Sequence, residues 1–316
     1  MAIFNQSKDP GLGEKYYSRT KRVINKDGSF NVKNIGKSFK NLKLYQRLIN
    51  MHWFKFSCIV LLTYFSVNAL FALVYYFAGI EHFTGIPIGT ELENYFHLLF
   101  FSVQTFTTVG YGAVSPMGIS ANIIASLEAM MGLLSFALAT GLLYGRFSRP
   151  SAQILYSEKA LIAPYNGGWS FQFRIVNQRN NVMMEMEASL MVVMSDPDSE
   201  NKYARKYYRM PLEVDFIYFF PLTWTIVHAI TEDSPLYGMT PEMLEKREAE
   251  FLVLLKGFDD TFDQTLHSRY SYLHNEMEWG ARYVRSFHAN ETGDIVLDVD
   301  KVHEYEQVQM PEEVLK

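Results

Sequence analysis

The 316-residue chain has a single cysteine, Cys58, so no intrachain disulfide can form. That suits a domain kept in a reducing compartment. Charge is missing from whole stretches as well. Residues 56–78 (FSCIVLLTYFSVNALFALVYYFA) contain no Asp, Glu, Lys or Arg. At about 1.5 Å of rise per residue, a helix of that length crosses a hydrocarbon core of ~30 Å. A second run, 119–147, carries one acid, Glu128, and meets its first base at Arg146. The loop 79–95 has no Lys or Arg but holds Glu81, Glu91 and Glu93. Patterns of catalysis are lacking too. The eight histidines show no metal-ligand spacing, and no Ser/His/Asp arrangement, Walker loop or GxGxxG stands in the chain. His97 and His228 read as structural residues. An enzyme and an organic cofactor are therefore not expected.

What is present divides the chain in two. The average composition, 48% hydrophobic and 20% charged with a net charge of −5, looks globular. It hides two apolar spans followed, beyond Pro150, by an ordinary charged domain. Between Glu14 and Lys55 there are eleven Lys or Arg against two acids. The positive-inside bias puts this arm in the cytoplasm, the 79–95 loop outside, and the C-terminal domain in the cytoplasm again. The cell (inner) membrane, crossed twice with both termini cytoplasmic, is the expected location. The first apolar run starts too late and runs too long for a cleavable signal peptide. Beside a membrane span, a basic arm faces an anionic leaflet rather than nucleic acid.

Four segments are expected. Residues 1–36 form a polar cytoplasmic N-terminal segment, extended or partly disordered. Residues 37–54 form an interfacial helix with Phe39, Leu42, Tyr45, Ile49 and Trp53 on one side and Lys40, Lys43 and Arg47 on the other. A core helix of a soluble domain would show a similar pattern. Residues 55–150 form a transmembrane domain. Within it Asn94–Thr107 (NYFHLLFFSVQTFT) is apolar but too short to cross, which marks a re-entrant helix. Residues 151–316 form a β-sandwich, with strands expected over 169–177, 184–194, 223–230, 251–258 and 294–300 and a helix near 241–249.

Directly after the half-crossing helix stands TTVGYG, residues 107–112. Non-helical backbone at membrane depth is tolerated only where protein buries it or where it lines a water-filled path. Gly110 and Gly112 can take positive φ at little steric cost, which lets successive carbonyls face one way. The carbonyls of Thr108, Val109, Gly110 and Tyr111, closed off by Gly112, would then replace the water shell of a bare cation. One chain supplies one wall, so a ring of chains is required.

In this setting TTVGYG resembles the selectivity filter of tetrameric potassium channels. Two spans with a large β-rich tail narrow the resemblance to the inward-rectifier potassium channels. Supporting stretches are RVINKDGSFNV (22–32), RFSRP (146–150), RIVNQR (174–179), IVHAITEDSPLYGM (226–239) and SYLHNEMEWGARY (271–283). The short external loop and lone cysteine are similar to the prokaryotic branch. The resemblance implies a homotetramer in the lipid bilayer and K⁺ ions in the filter. It also implies an immunoglobulin-like cytoplasmic sandwich that extends and gates the pore.

The resemblance further implies that Phe136, Thr140 and Tyr144 line the pore, with Tyr144 as the constriction. Their i, i+4, i+8 spacing shares one face independently, although packing against a neighbouring helix would use the same stripe. In animal members of that family a Glu–Arg pair at the positions of Gln104 and Val114 braces the filter. The intramembrane acid Glu128 is expected to hydrogen-bond the back of the filter instead, or else to be carried as a tolerated neutral acid. Strong rectifiers hold acids at the positions of Phe136, Glu185 and Lys256. Only Glu185 remains, so weak polyamine rectification is expected. Arg146 and Arg149 stand where an anionic lipid or phosphoinositide headgroup would sit, or where they serve as positive-inside anchors. The Lys pair that follows the proline in animal members is Ser151 and Ala152 here. Two other functions stay open: a non-selective cation channel, and a membrane-anchored sensor with a vestigial pore.

Overall fold

The computed structural model describes residues 6–14, 22–33, 35, 44–87, 89–148, 153–179, 181–196, 199–201 and 203–308. It divides into two compact units, residues 36–149 and residues 1–35 with 150–316.

In the first unit, α1 spans Leu44–Asn50, α2 Trp53–Ala78, α3 Glu91–Phe106 and α4 Gly118–Phe147. At 26 and 30 residues, α2 and α4 are each long and apolar enough to cross a membrane. With 16 residues, α3 rises about 24 Å, short of a ~30 Å core. It begins earlier than the apolar pattern suggests because Thr90 and Glu93 form a reciprocal capping box. The Thr90 amide donates to Glu93 Oε2 at 2.7 Å, and the Glu93 amide donates to Thr90 Oγ1 at 3.4 Å. Of the expected interfacial helix, residues 37–43 lie outside the described residues. The described part ends at Asn50, before the expected end. Trp53 opens α2 instead, behind His52, whose Nδ1 accepts from the Phe54 amide at 3.3 Å. Tyr75, Phe83, Leu98, Phe101 and Ala121 form the apolar core that holds α2, α3 and α4 together.

The second unit is a β-sandwich. Its strands are β1 (Gln6–Ser7), β2 (Ile154–Tyr156), β3 (Ala160–Tyr165), β4 (Gly168–Asn177), β5 (Met183–Ser195) and β6 (Arg205–Met210). They continue with β7 (Phe216–Phe219), β8 (Trp224–Ile230), β9 (Glu250–Asp259), β10 (Gln264–Leu273) and β11 (Met277–Trp279). One sheet runs β1-β6-β5-β9-β10 with β7 on β5. The other runs β8-β4-β3-β11 with β2 on β4. Period-2 alternation drives this layering. Phe171, Phe173 and Ile175 on β4 point inward, and the Phe171 ring stacks on Phe251 of β9 at 4.4 Å between centroids.

Three expectations are corrected here. The 294–300 run holds only a three-residue strand, Ile295–Leu297, and the 241–249 helix shortens to α5, Pro241–Lys246, before the chain turns into β9. The N-terminal segment is not simply extended polar chain. Ile24 is buried with Val193, Tyr207 and Leu252 on the outer face of the first sheet, and β1 pairs with β6. Glu250, buried at 3% exposure, accepts the Val23 amide at 2.9 Å and the Ile24 amide at 3.2 Å, which fastens that segment.

Candidate ion filter and gate

Residues 107–112 follow the C-terminus of α3. φ is +59° at Thr108, +52° at Gly110 and +78° at Gly112, while Val109 and Tyr111 between them are not in the positive region. When the sign of φ alternates residue by residue, the peptide planes tip the same way and the carbonyls line one side. The two glycines accept positive φ freely. Thr108 is β-branched and pays about 1–2 kcal/mol for it. Sequence reasoning named Thr108 among the filter residues but foresaw positive φ only at the glycines. The amides are drawn to the other side: Val109 and Gly110 donate to the Gln104 carbonyl at 2.9 and 3.3 Å, and Thr108 donates to the Thr105 carbonyl at 3.1 Å. The end of α3 therefore supplies the acceptors that hold a strained loop in one conformation. Val109 and Tyr111 are 53% and 78% exposed in the single chain.

The supports differ from the expected ones. Gln104 contributes its main-chain carbonyl. Val114, at the other brace position, packs on the apolar core around Tyr75 and Phe83. Glu128, fully buried on α4, does not reach residues 107–112 in the described hydrogen bonds. Its carboxyl oxygens instead accept from the hydroxyls of Tyr75 on α2 and Ser102 on α3. Ser102 Oγ also stands 3.1 Å from both the carbonyl and Oδ1 of Asn68, whose Nδ2 donates to the Tyr64 carbonyl at 2.8 Å. Four buried polar side chains thus join α2, α3 and α4. Ser102 and Tyr75 gave no signal of their own in the sequence, since each is common in an apolar helix, whereas Asn68, the one amide in the 56–78 span, was a signal left unread.

One turn beyond Glu128, a Cβ placed on Gly132 would lie 2.0 Å from the Phe106 carbonyl oxygen. Only glycine lets α4 pass the end of α3 so closely. Further along α4, Phe136, Thr140 and Tyr144 are exposed on one face, with Phe136 and Tyr144 at 73% and 74%. Thr140 Oγ1 donates to the Phe136 carbonyl at 2.9 Å.

Arg146 is not the free cation that a headgroup site expects. Its guanidinium donates to the carbonyls of Leu48, Ile49 (3.0 Å) and Met51 (2.6 Å) and lies 4.5 Å from the Trp53 ring centroid. Arg149 lies outside the described residues.

In the second unit Glu185 sits on β5 with φ +50°, where the pairing with β9 shifts register across Gly257. Both Glu185 and Lys256 are exposed. Lys256 pairs across the strands with Glu187, Nζ to Oε2 3.5 Å, rather than with Glu185. Sequence reasoning missed Glu187, because the bulge decides which acid faces the lysine. His228 is structural, as expected. Burial holds its imidazole below the usual pKa, and its Nδ1 and Nε2 lie 2.6 Å from the Pro211 carbonyl and 2.8 Å from Ser234 Oγ.

Two family models match this chain, one described as "Ion channel" over residues 59–149 and one as "Inward rectifier potassium channel C-terminal domain" over residues 154–316. The inward rectifier potassium channel Kirbac3.1 of Paramagnetospirillum magnetotacticum is 34% identical over 93% of this chain and 99% of its own length. The chain belongs to the inward-rectifier potassium channel family.

More distant members of the family also match. The G protein-activated inward rectifier potassium channel 2 of Mus musculus is 25% identical, covering 93% of this chain and 73% of that protein. Channel 3 of the same mouse group is 26% identical, covering 98% and 84%. These are ion channels, not enzymes.

Proposed function

We propose that four copies of this chain form a K⁺-selective pore in the cell (inner) membrane, with both termini cytoplasmic. The observation that carries the proposal is the alternating φ over Thr108–Gly112, held from behind by the Gln104 carbonyl. Thr108, Val109, Gly110 and Tyr111 coordinate K⁺ through their carbonyls, and four such walls complete the ring. Phe136, Thr140 and Tyr144 line the inner cavity, with Tyr144 closing it by dewetting where four aromatics converge. The cytoplasmic domain gates the pore. The chain moves ions passively, and no organic cofactor takes part. The test is flux through the purified protein in liposomes. Ba²⁺-sensitive K⁺ flux with a reversal potential that follows K⁺ rather than Na⁺ is expected. Equal K⁺ and Na⁺ permeability would make it a non-selective channel, and the absence of flux would revive a membrane-anchored sensor.

The charge of the cytoplasmic path is set by Glu185, Glu187 and Lys256. With Lys256 occupying Glu187, each chain offers one unpaired acid, too little to trap a polyamine strongly. Nearly linear current in intracellular spermine is the expected result. Lys256→Glu, which adds two negative charges per chain, raises spermine sensitivity at least about tenfold. Steep spermine block of the unsubstituted channel would sink this assignment.

A further inference from the structure

We infer that Thr84 and Gly85, in the loop before α3, are positioning residues that fasten the exit of the filter and stand in for the absent brace at 104 and 114. This rests on residues 108–112 being the filter. The entry of that stretch is held from α3, where the Gln104 carbonyl takes the amides of Val109 and Gly110. Further on, among the described hydrogen bonds, the amides of Tyr111, Gly112 and Ala113 have no main-chain acceptor. The next fixed point is the run from Ala113 to Met117.

Residues 82–85 meet that run one residue at a time. A Cβ on Gly85 would overlap the Ala113 carbonyl oxygen and stand 2.9 Å from its carbon. With φ at +84° as well, only glycine lets the two stretches pass so closely. Val114 packs on the apolar core that includes Phe83. Thr84 pairs with Ser115, and Phe83 with Pro116, in a short antiparallel ladder. The Met117 amide donates to the His82 carbonyl at 2.7 Å. Two residue pairs make a marginal ladder by themselves. The Thr84 hydroxyl reinforces it, standing 2.6 Å from Ser115 Oγ and 3.3 Å from the Ser115 carbonyl. Phe83 anchors the strip in turn. It is 6% exposed, and its ring centroid lies 5.3 Å from that of Tyr75 on α2 and 5.4 Å from that of Phe101 on α3. Both ends of the filter are therefore tied to α3, the entry through Gln104 and the exit through Phe83. K⁺ seated among four such walls favours the ordered exit by mass action, so a weakened clamp leaves that order needing more K⁺.

The test uses the full-length tetramer in planar bilayers, reading single-channel open probability against external K⁺. Thr84→Val keeps the branched shape and removes both hydroxyl contacts. It is expected to raise the external K⁺ at half-maximal open probability by at least about threefold. Saturating K⁺ should return it to within about twofold of the unsubstituted channel. Thr84→Ser retains the hydroxyl and should stay within about twofold at every K⁺ concentration. Gly85→Ala displaces main chain, so a shift of at least about tenfold is expected. Should that variant fail to form tetramers, Ser115→Ala takes its place. Combined with Thr84→Val, it should shift the K⁺ dependence no further than the larger single effect, because both break one bond. A lower melting temperature with unchanged K⁺ dependence in Thr84→Val makes the contact a matter of stability alone and overturns the clamp. Thr84→Ser as damaging as Thr84→Val overturns it too. Equal K⁺ and Na⁺ permeability in the unsubstituted channel is a separate failure, because it removes the filter itself and the clamp with it.

Discussion

Gly132→Ala abolishes selective K⁺ flux, or lowers it by well over about tenfold, while leaving the cytoplasmic sandwich folded. The added Cβ would sit 2.0 Å from the Phe106 carbonyl oxygen, 2.8 Å from its carbon and 3.0 Å from its Cα. All three are main-chain atoms, so no rotamer change relieves the clash. Either α4 or the end of α3 must move by more than an ångström. The end of α3 cannot move alone, because the Gln104 carbonyl two residues earlier holds the amides of Val109 and Gly110. A shift there releases the alternating backbone that a strained Thr108 already makes costly. Trimming the side chain with Phe106→Ala should not rescue the variant. Flux, K⁺/Na⁺ selectivity and tetramer melting temperature decide the matter. Unsubstituted behaviour in all three for Gly132→Ala would refute the close approach.

Much of this was legible in the sequence, and the limits have physical causes. The two spans, the half-crossing helix and the glycine motif follow from a long absence of charge and from what bare backbone requires in a membrane. The inward-facing strands β4, β5, β8 and β9 follow from their alternation. β10 was missed because an edge strand buries only half its length, and its run through His267, Ser268 and Arg269 blurs the pattern. Partners across the fold were harder still. The residue types alone could not show that Glu128 meets Tyr75 and Ser102, or that Lys256 faces Glu187. The first depends on the rotation of three helices, the second on a one-residue bulge. Arg146 was legible as a base at a membrane border. Its commitment to α1 was not, since helix-end carbonyls leave no mark in a sequence.

Glu128→Leu is expected to cost about 2–4 kcal/mol of tetramer stability, whereas Glu128→Gln costs under about 1 kcal/mol. The asymmetry comes from the donors around the carboxyl. Tyr75 and Ser102 each offer it one hydroxyl hydrogen. A glutamine keeps one acceptor for Tyr75, and its amide nitrogen can donate to Ser102 Oγ. That hydroxyl is then free to turn its hydrogen toward Asn68, whose carbonyl and Oδ1 both stand 3.1 Å away. Both hydroxyls then keep a partner. A leucine offers nothing to Tyr75, which is fully buried and would be left with an unpaired hydroxyl. Adding Tyr75→Phe to Glu128→Leu removes that orphan and should recover at least about 1 kcal/mol, although it deletes a second polar group. Glu128 and Gly132 lie one turn apart on α4, facing Ser102 and Phe106, one turn apart on α3. The lost stability therefore falls on the same seam that steadies the filter, and shorter filter open times should accompany it. Thermal unfolding of the four proteins, with single-channel records of each, gives the comparison. Equal losses in Glu128→Leu and Glu128→Gln would instead make the carboxyl charge, not the hydrogen-bond count, the source of its effect.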